Sequence, residues 1–181
     1  ISPVHIASRI RLEVGANGSD STNGCEFTWK GKKYSGYYNF FNIGAYKEEE
    51  LGYVDTIQRG LAHAAGYFAN SGCLVVDATD PKKATYDATK LKTDGKTLCG
   101  ELSYQRPWNT PEKAIVGGGH WIGEQYVKIG QNTNYLQKFN VSKTDVLFTH
   151  QYMTNAYAPT SEANTILSAY NYMQKQNITG I

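Results

Sequence analysis

The sequence has little of most things that would assign a short chain at once. Its three cysteines, Cys25, Cys73 and Cys99, are odd in number, and no C-x-x-C pair is present, so neither a complete disulfide framework nor a cysteine zinc site is expected. Cys73 and Cys99 flank the least regular stretch and could pair; three free thiols are an equal alternative. No apolar run approaches the ~20 residues needed to span a bilayer, so no membrane partner is expected. An excess of one charge is missing too. Eighteen Lys and Arg stand against 16 Asp and Glu, and the lysines are scattered apart from small clusters at Lys30–Lys33 and Lys82–Lys83. A nucleic-acid partner, which would require a concentrated basic face, is not expected. The four histidines, His5, His63, His120 and His150, show no metal-binding spacing, so no metal and no cofactor are expected. Gly117-Gly118-Gly119-His120 lacks the Lys-Ser/Thr ending of a phosphate loop, and no G-x-S-x-G nucleophile elbow occurs. There is no internal repeat.

What is present describes a globular chain. Its 181 residues, 40% of them hydrophobic and 19% charged, suffice for one domain with a full core. The first residue is Ile1, not Met, so the chain is expected to be a single domain, 1–181, cut from a longer multidomain protein. Aromatics are abundant: 14 Tyr, six Phe and three Trp. Tyr joins a flat apolar face to a polar tip, which suits sugar ligands, although most of these rings are expected simply to pack.

Periodicity predicts a helix over 2–14, with Ser2 as N-cap, Pro3 at the first helical position and Gly15 as the stop. After a polar loop, Glu26–Trp29 and Tyr34–Tyr38 read as two short strands around Lys30-Gly31-Lys32-Lys33. Asn39–Tyr46 forms an apolar turn. A second helix is predicted over 54–69, and 73–107 reads as a surface excursion with one short helix at most. Thr110-Pro111-Glu112 opens a third helix, and a last one starts near Ser161. The sum is mainly α, of α+β type, with a small β-lobe at about 24–46.

Glu13 is the most informative side chain. It shares a stripe with Ile6 and Ile10 and sits in the last turn of its helix. Apolar neighbours and a helix C-terminus both disfavour an ionised carboxyl. A carboxyl kept protonated is what a glycosidase uses to protonate a departing glycosidic oxygen. A Glu paired with Arg9 or Arg11, or simply solvated, is the plainer alternative. Glycosidases usually need a second carboxylate, and Glu26 and Asp20 are the candidates, each equally readable as a surface acid. The segment His150–Asn155 is dense in hydrogen-bonding groups and lies before a helix start, as ligand-positioning loops do.

Several segments together resemble bacterial peptidoglycan N-acetylglucosaminidases of glycoside hydrolase family 73. They are Tyr38-Asn39-Phe40-Phe41-Asn42-Ile43-Gly44-Ala45-Tyr46, Asn109–Ile115 with Gly117-Gly118, Gln131–Val141, and His150-Gln151-Tyr152-Met153-Thr154-Asn155. The helix ending in Glu13-Val14-Gly15 resembles the family's catalytic helix, although members often read Glu-Thr/Gln-Gly there. The likeness runs through 1–50 and 108–175 in order and leaves 70–107 as an insertion. It implies a lysozyme-like fold, a helical lobe and a β-hairpin lobe with a cleft between them. It also implies an endo-β-N-acetylglucosaminidase that cleaves the GlcNAc-β-1,4-MurNAc bond. Glu13 matches the catalytic acid, Tyr152 the tyrosine near the scissile bond, and Glu26, by position, the uncertain second acid. Asn39, Phe40, Phe41, Ile43, Gln151, Asn155 and Tyr157 are the residues expected to bind substrate. The implied partner is the peptidoglycan strand, the implied location secreted and wall-associated, and the expected state monomeric. A lytic transglycosylase or muramidase on the same fold remains open, as does a non-catalytic wall-binding module. So does the choice between water activated by a β-lobe carboxylate and attack by the substrate's own N-acetyl group.

Overall fold

Helix α1, Pro3–Val14, has its proline in the first turn, where a missing N–H costs nothing. The computed structural model that shows it describes residues 1, 3–47, 49, 52, 55–67, 73–75, 79, 85–92, 94–141, 147–151 and 157–176. The predicted cap Ser2 and the predicted helical Phe68 lie outside them. After α1, a short 3-10 turn at Asp20–Thr22 leads to strands β1, Phe27–Trp29, and β2, Lys32–Tyr34. Then follow α2, Thr56–Ala64, and two-residue strands β3, Leu74–Val75, and β4, Thr85–Tyr86. Helix α3, Pro111–Ile122, runs into a π-turn at Gly123–Val127 and is followed by α4, Asn134–Lys138, and α5, Ala158–Lys175. This is the mainly helical chain with a small hairpin that periodicity predicts.

The chain divides into two compact units. One comprises 13–120, and the other 1–12 with 121–181. In the first, β1 and β2 pair antiparallel with Trp29 opposite Lys32, which leaves only Lys30-Gly31 as the turn. Both turn residues have positive φ, 47° and 74°, as a two-residue hairpin turn of matching twist requires, and the glycine meets that demand without strain. Lys32 and Lys33 therefore belong to β2, not to the loop predicted from their polarity. The region 35–38, predicted as the rest of a strand, is irregular; Tyr38 N–H instead donates to Trp108 O at 2.9 Å.

Phe27, Trp29 and Tyr34 turn inward from the hairpin and meet α2, whose Leu61, Ala62 and Ala64 are buried. Asp55 caps α2 by accepting from Gln58 N–H at 3.0 Å. Trp108, 1% exposed, binds this core at three points. Its N–H donates to Ala64 O and its carbonyl accepts from Tyr38, while its indole Nε1 donates to Tyr104 O at 2.8 Å. In 73–107 the described residues hold no α-helix. Cys73 and Cys99 are joined, with Cα atoms 5.8 Å apart and a sequence separation of 26. Inside this ring β3 pairs with β4, and Leu91 bridges to Leu98. Closing a loop of that length constrains the unfolded chain by about 3 kcal/mol. Cys25 is the free cysteine.

In the second unit a polar network replaces much of the apolar core. Gln131 and Gln137, both fully buried, link the turn before α4 to α1. Arg9 Nη1 donates to Gln137 Oε1 at 2.7 Å, and Gln137 Nε2 donates to Gln131 O at 3.1 Å. Gln131 Nε2 in turn donates to Leu136 O and His150 O. Buried Lys138 pairs with Glu162 of α5. Such pairs hold only while every member is satisfied. Helix α5 begins at Ala158, three residues before the Ser161 start read from the sequence. Pro159 then falls in its first turn, where proline is tolerated.

Candidate active site

The site is built where α1 ends. Glu13 lies in the last turn of α1 and is half-buried. The carbonyls of a helix's last turn have no partner within the helix. Here the carbonyl of Glu13 itself accepts a hydrogen bond from Asn42 Nδ2 at 3.0 Å. Asn42 belongs to the turn 39–44, which is why that turn matters to Glu13.

The turn is wound around Asn39. This side chain is fully buried, and its Oδ1 accepts from Ile43 N–H at 3.1 Å. Its Nδ2 donates to Ile43 O at 2.8 Å and to Gly60 O of α2 at 2.9 Å. Asn39 N–H donates to Ser21 O at 2.6 Å. With its side-chain amide spent on the backbone and no surface left, Asn39 organises the turn rather than meeting a ligand. Phe41 and Ile43 are buried as well, at 4% and 6% exposure. These three expected substrate contacts are thus internal supports. Phe40 differs: it is half-buried and stacks nearly parallel to half-buried Tyr38, with ring centroids 6.4 Å apart. Aromatic faces of this kind suit sugar rings.

Gly44 closes the turn at φ +76°, and a Cβ there would lie 2.9 Å from His63 Cβ, so both backbone and space call for glycine. Buried Arg59 of α2 donates from Nη1 to Gly44 O at 2.5 Å and lies 3.4 Å over the Tyr46 ring. Beside it, burial pushes the His63 imidazole down to about 3, with the Arg106 and Arg59 cations adding to the effect. In the unfolded chain this histidine takes up a proton near its ordinary pKa of about 6.5. Stability from keeping His63 neutral is therefore complete above that pH and is lost as pH falls toward 3. About 2 kcal/mol should disappear by pH 5. Denaturant titrations at neutral pH and pH 5 check this; His63→Gln should flatten the difference, and equal slopes in both proteins would refute the assignment.

The other expected residues are placed as follows. Glu26 stands just before β1, and its carboxylate accepts from Lys33 Nζ of β2 at 2.7 Å in a solvated ion pair. Asp20 is exposed in the 3-10 turn. In the second unit, half-buried Gln151 accepts from Asn140 N–H at 2.9 Å through Oε1, and Tyr157 is 84% exposed. Tyr152 and Asn155 lie outside the described residues. His150, φ +50°, donates from Nδ1 to Gln131 Oε1 at 2.8 Å, because the Gln131 amide nitrogen is committed to two carbonyls. Sequence reasoning passed over Asn42, whose signal was an asparagine inside a Gly-ended turn. It also passed over the buried glutamines, which carry no local signal. Among the described residues no cluster of three or more His, Cys, Asp or Glu could hold a metal ion. None of the described helices is long and apolar enough to cross a membrane.

The mainly helical fold with a short hairpin is shared with a solved autolysin structure. A crystal structure of a catalytic mutant of Staphylococcus aureus Autolysin E, in complex with the disaccharide NAG-NAM, matches 94% of this chain and 53% of that one. The TM-score is 0.51 at 19% identity. In sequence the chain is homologous to a segment of the Bifunctional autolysin of S. aureus. It is 28% identical over 177 residues to the protein of strain Mu50, and 29% identical over 161 residues to that of strain MSSA476. The matches cover 94% and 86% of this chain, which spans about a tenth of the length of those relatives. No family model matches. The resemblance drawn from the motifs, to bacterial peptidoglycan N-acetylglucosaminidases, is thereby borne out, as is a mainly helical fold with a small hairpin.

Proposed function

We propose that the chain is a glycoside hydrolase of bacterial peptidoglycan, an endo-β-N-acetylglucosaminidase cutting the GlcNAc-β-1,4-MurNAc bond. Its substrate is the glycan strand, and it works outside the cell at the wall. The observation that carries this reading is Glu13. It is half-buried at the end of α1 and tied through its own carbonyl to the 39–44 turn, in a chain homologous to autolysins. Glu13 protonates the glycosidic oxygen as the bond to the anomeric carbon breaks. Tyr38 and Phe40 offer aromatic faces to sugar rings, and Tyr152, Gln151, Asn155 and Tyr157 supply further contacts.

For the second half of the reaction we favour attack by the substrate's N-acetyl oxygen, with Glu13 then acting as base toward water. Support comes from Glu26, whose carboxylate is already engaged by Lys33 on the solvated hairpin. Such a pair is worth less than about 1 kcal/mol, so its loss costs the fold little. Glu26→Gln should accordingly retain turnover to within about threefold, whereas loss of a general base costs about 10²–10⁴-fold. Initial rates of wall solubilisation decide between them.

The reaction itself is tested by digesting purified walls, reducing the products with borohydride and weighing them by mass spectrometry. Reduced glucosamine ends are expected. Reduced muramic ends would make the protein a muramidase, and anhydro ends a lytic transglycosylase. Binding without cleavage would make it a wall-binding module.

A further inference from the structure

The Asn42 side chain is not needed to close its own turn, since Asn39 already does so with two hydrogen bonds to Ile43. Its backbone sits at φ +51°, a conformation that strains most residues and that asparagine tolerates better than most. Its side chain reaches 29 positions back along the chain to the Glu13 carbonyl. The amide's orientation is set by the Glu13 carbonyl, which can only accept, and its far end is met from behind. Ser21 Oγ, on a residue 1% exposed, donates to Asn42 Oδ1 at 3.4 Å. Ser21 Oγ also lies 2.7 Å from Ser19 Oγ. Because Asn42 Oδ1 can only accept, the protons run one way, from Ser19 to Ser21 to Asn42 to the Glu13 carbonyl. Aligned donors of this kind strengthen one another. A flipped amide would set Asn42 Oδ1 against the Glu13 carbonyl oxygen, two acceptors with no proton between them.

Resting on the reading of Glu13 as general acid, we propose that Asn42, held by Ser21, is a positioning residue for that acid. It fixes the backbone of Glu13 relative to the 39–44 turn and partly neutralises the carbonyl nearest the carboxyl. Two consequences follow. Without the clasp the carboxyl wanders from the scissile oxygen, which lowers kcat more than it raises KM. A negative charge in place of the amide disfavours ionisation of the nearby acid, which carries activity to higher pH.

The test uses initial rates on soluble peptidoglycan fragments from acid to neutral pH for Asn42→Gly, Asn42→Asp, Ser21→Ala and Glu13→Gln. Glycine and aspartate both accept the positive φ, so neither variant confounds the result with backbone strain. Asn42→Gly should lower kcat about tenfold or more, with KM unchanged to within about threefold. Asn42→Asp should lower kcat similarly and move the basic limb of the profile up by about one pH unit. Ser21→Ala should show a smaller fall in kcat of the same kind. A lowered melting temperature with wild-type kcat and an unmoved basic limb would make Asn42 merely structural and overturn the proposal. If Asn42→Asp fails to fold, the kcat–KM split of Asn42→Gly decides alone. Wild-type turnover by Glu13→Gln overturns the general-acid reading and this inference with it. An inactive Glu13→Gln beside wild-type Asn42 variants overturns the inference alone.

Discussion

Glu13→Gln should lose wall-lytic turnover by about 10²–10⁴-fold, which is about 3–5 kcal/mol in the barrier, and keep its melting temperature. The substitution preserves shape and removes only the transferable proton. The bond that ties this position to the turn survives, because Asn42 donates to the backbone carbonyl and not to the side chain. Glu13 is also half-buried, so an amide there keeps access to solvent. Activity and stability should therefore separate cleanly. Zymograms and reducing-end assays measure the first, and thermal denaturation the second. A Glu13→Gln protein that clears walls at the parent rate would remove the acid from the mechanism. One that no longer folds would instead place Glu13 among the supports of α1.

How far the sequence disclosed this site depends on the range of the interactions. Local chemistry was legible. The proline in the first turn of α1, the Thr110-Pro111 start of α3, where Lys113 N–H donates to Thr110 Oγ1 at 3.3 Å, and the arc of α2 all follow from nearby residues. The hairpin was legible in kind but not in register. Lys32 and Lys33 look like loop by polarity, yet each takes a β2 position because the two-residue turn closes at Lys30-Gly31. The residues around Glu13 were legible as a motif and not as roles. Asn39, Phe40, Phe41 and Ile43 lie within five positions of one another, but only Phe40 keeps a partly open face. What sorts them is contact with α2 and α3, which are distant in sequence. Asn42 was invisible for the same reason, since its value lies in a carbonyl 29 positions away. The Cys73–Cys99 bond could not be chosen over free thiols, because spacing alone does not bring two sulfur atoms together.

The three consecutive glycines of α3 make the same point in energetic terms. By intrinsic preference Gly117→Ala and Gly118→Ala should each stabilise a helix interior by about 1 kcal/mol. The packing reverses the sign. A Cβ on Gly117 would meet the Tyr104 carbonyl oxygen at 2.1 Å and Trp108 Nε1 at 2.5 Å, wedging apart the hydrogen bond between those two groups. A Cβ on Gly118 would meet Phe41 Cδ2 at 2.3 Å, and Phe41 is 4% exposed with nowhere to turn. Overpacking of a close-packed core costs about 1–3 kcal/mol per site, and the disturbed Trp108 bond adds about 1 kcal/mol more. Net of the propensity gain, Gly117→Ala should lose about 1–3 kcal/mol and Gly118→Ala up to about 2 kcal/mol. The double variant should lose roughly the sum, up to about 5 kcal/mol, and the upper end is of the order of a small domain's whole stability. Urea unfolding of the three variants measures this. Gly118→Ala carries a further consequence, because Phe41 lies in the turn that presents Asn42 to Glu13. At temperatures where it is still folded, it should also lose turnover, and Gly117→Ala should lose less. Gains in stability from either substitution would mean that α3 does not approach the turn as closely as these distances require.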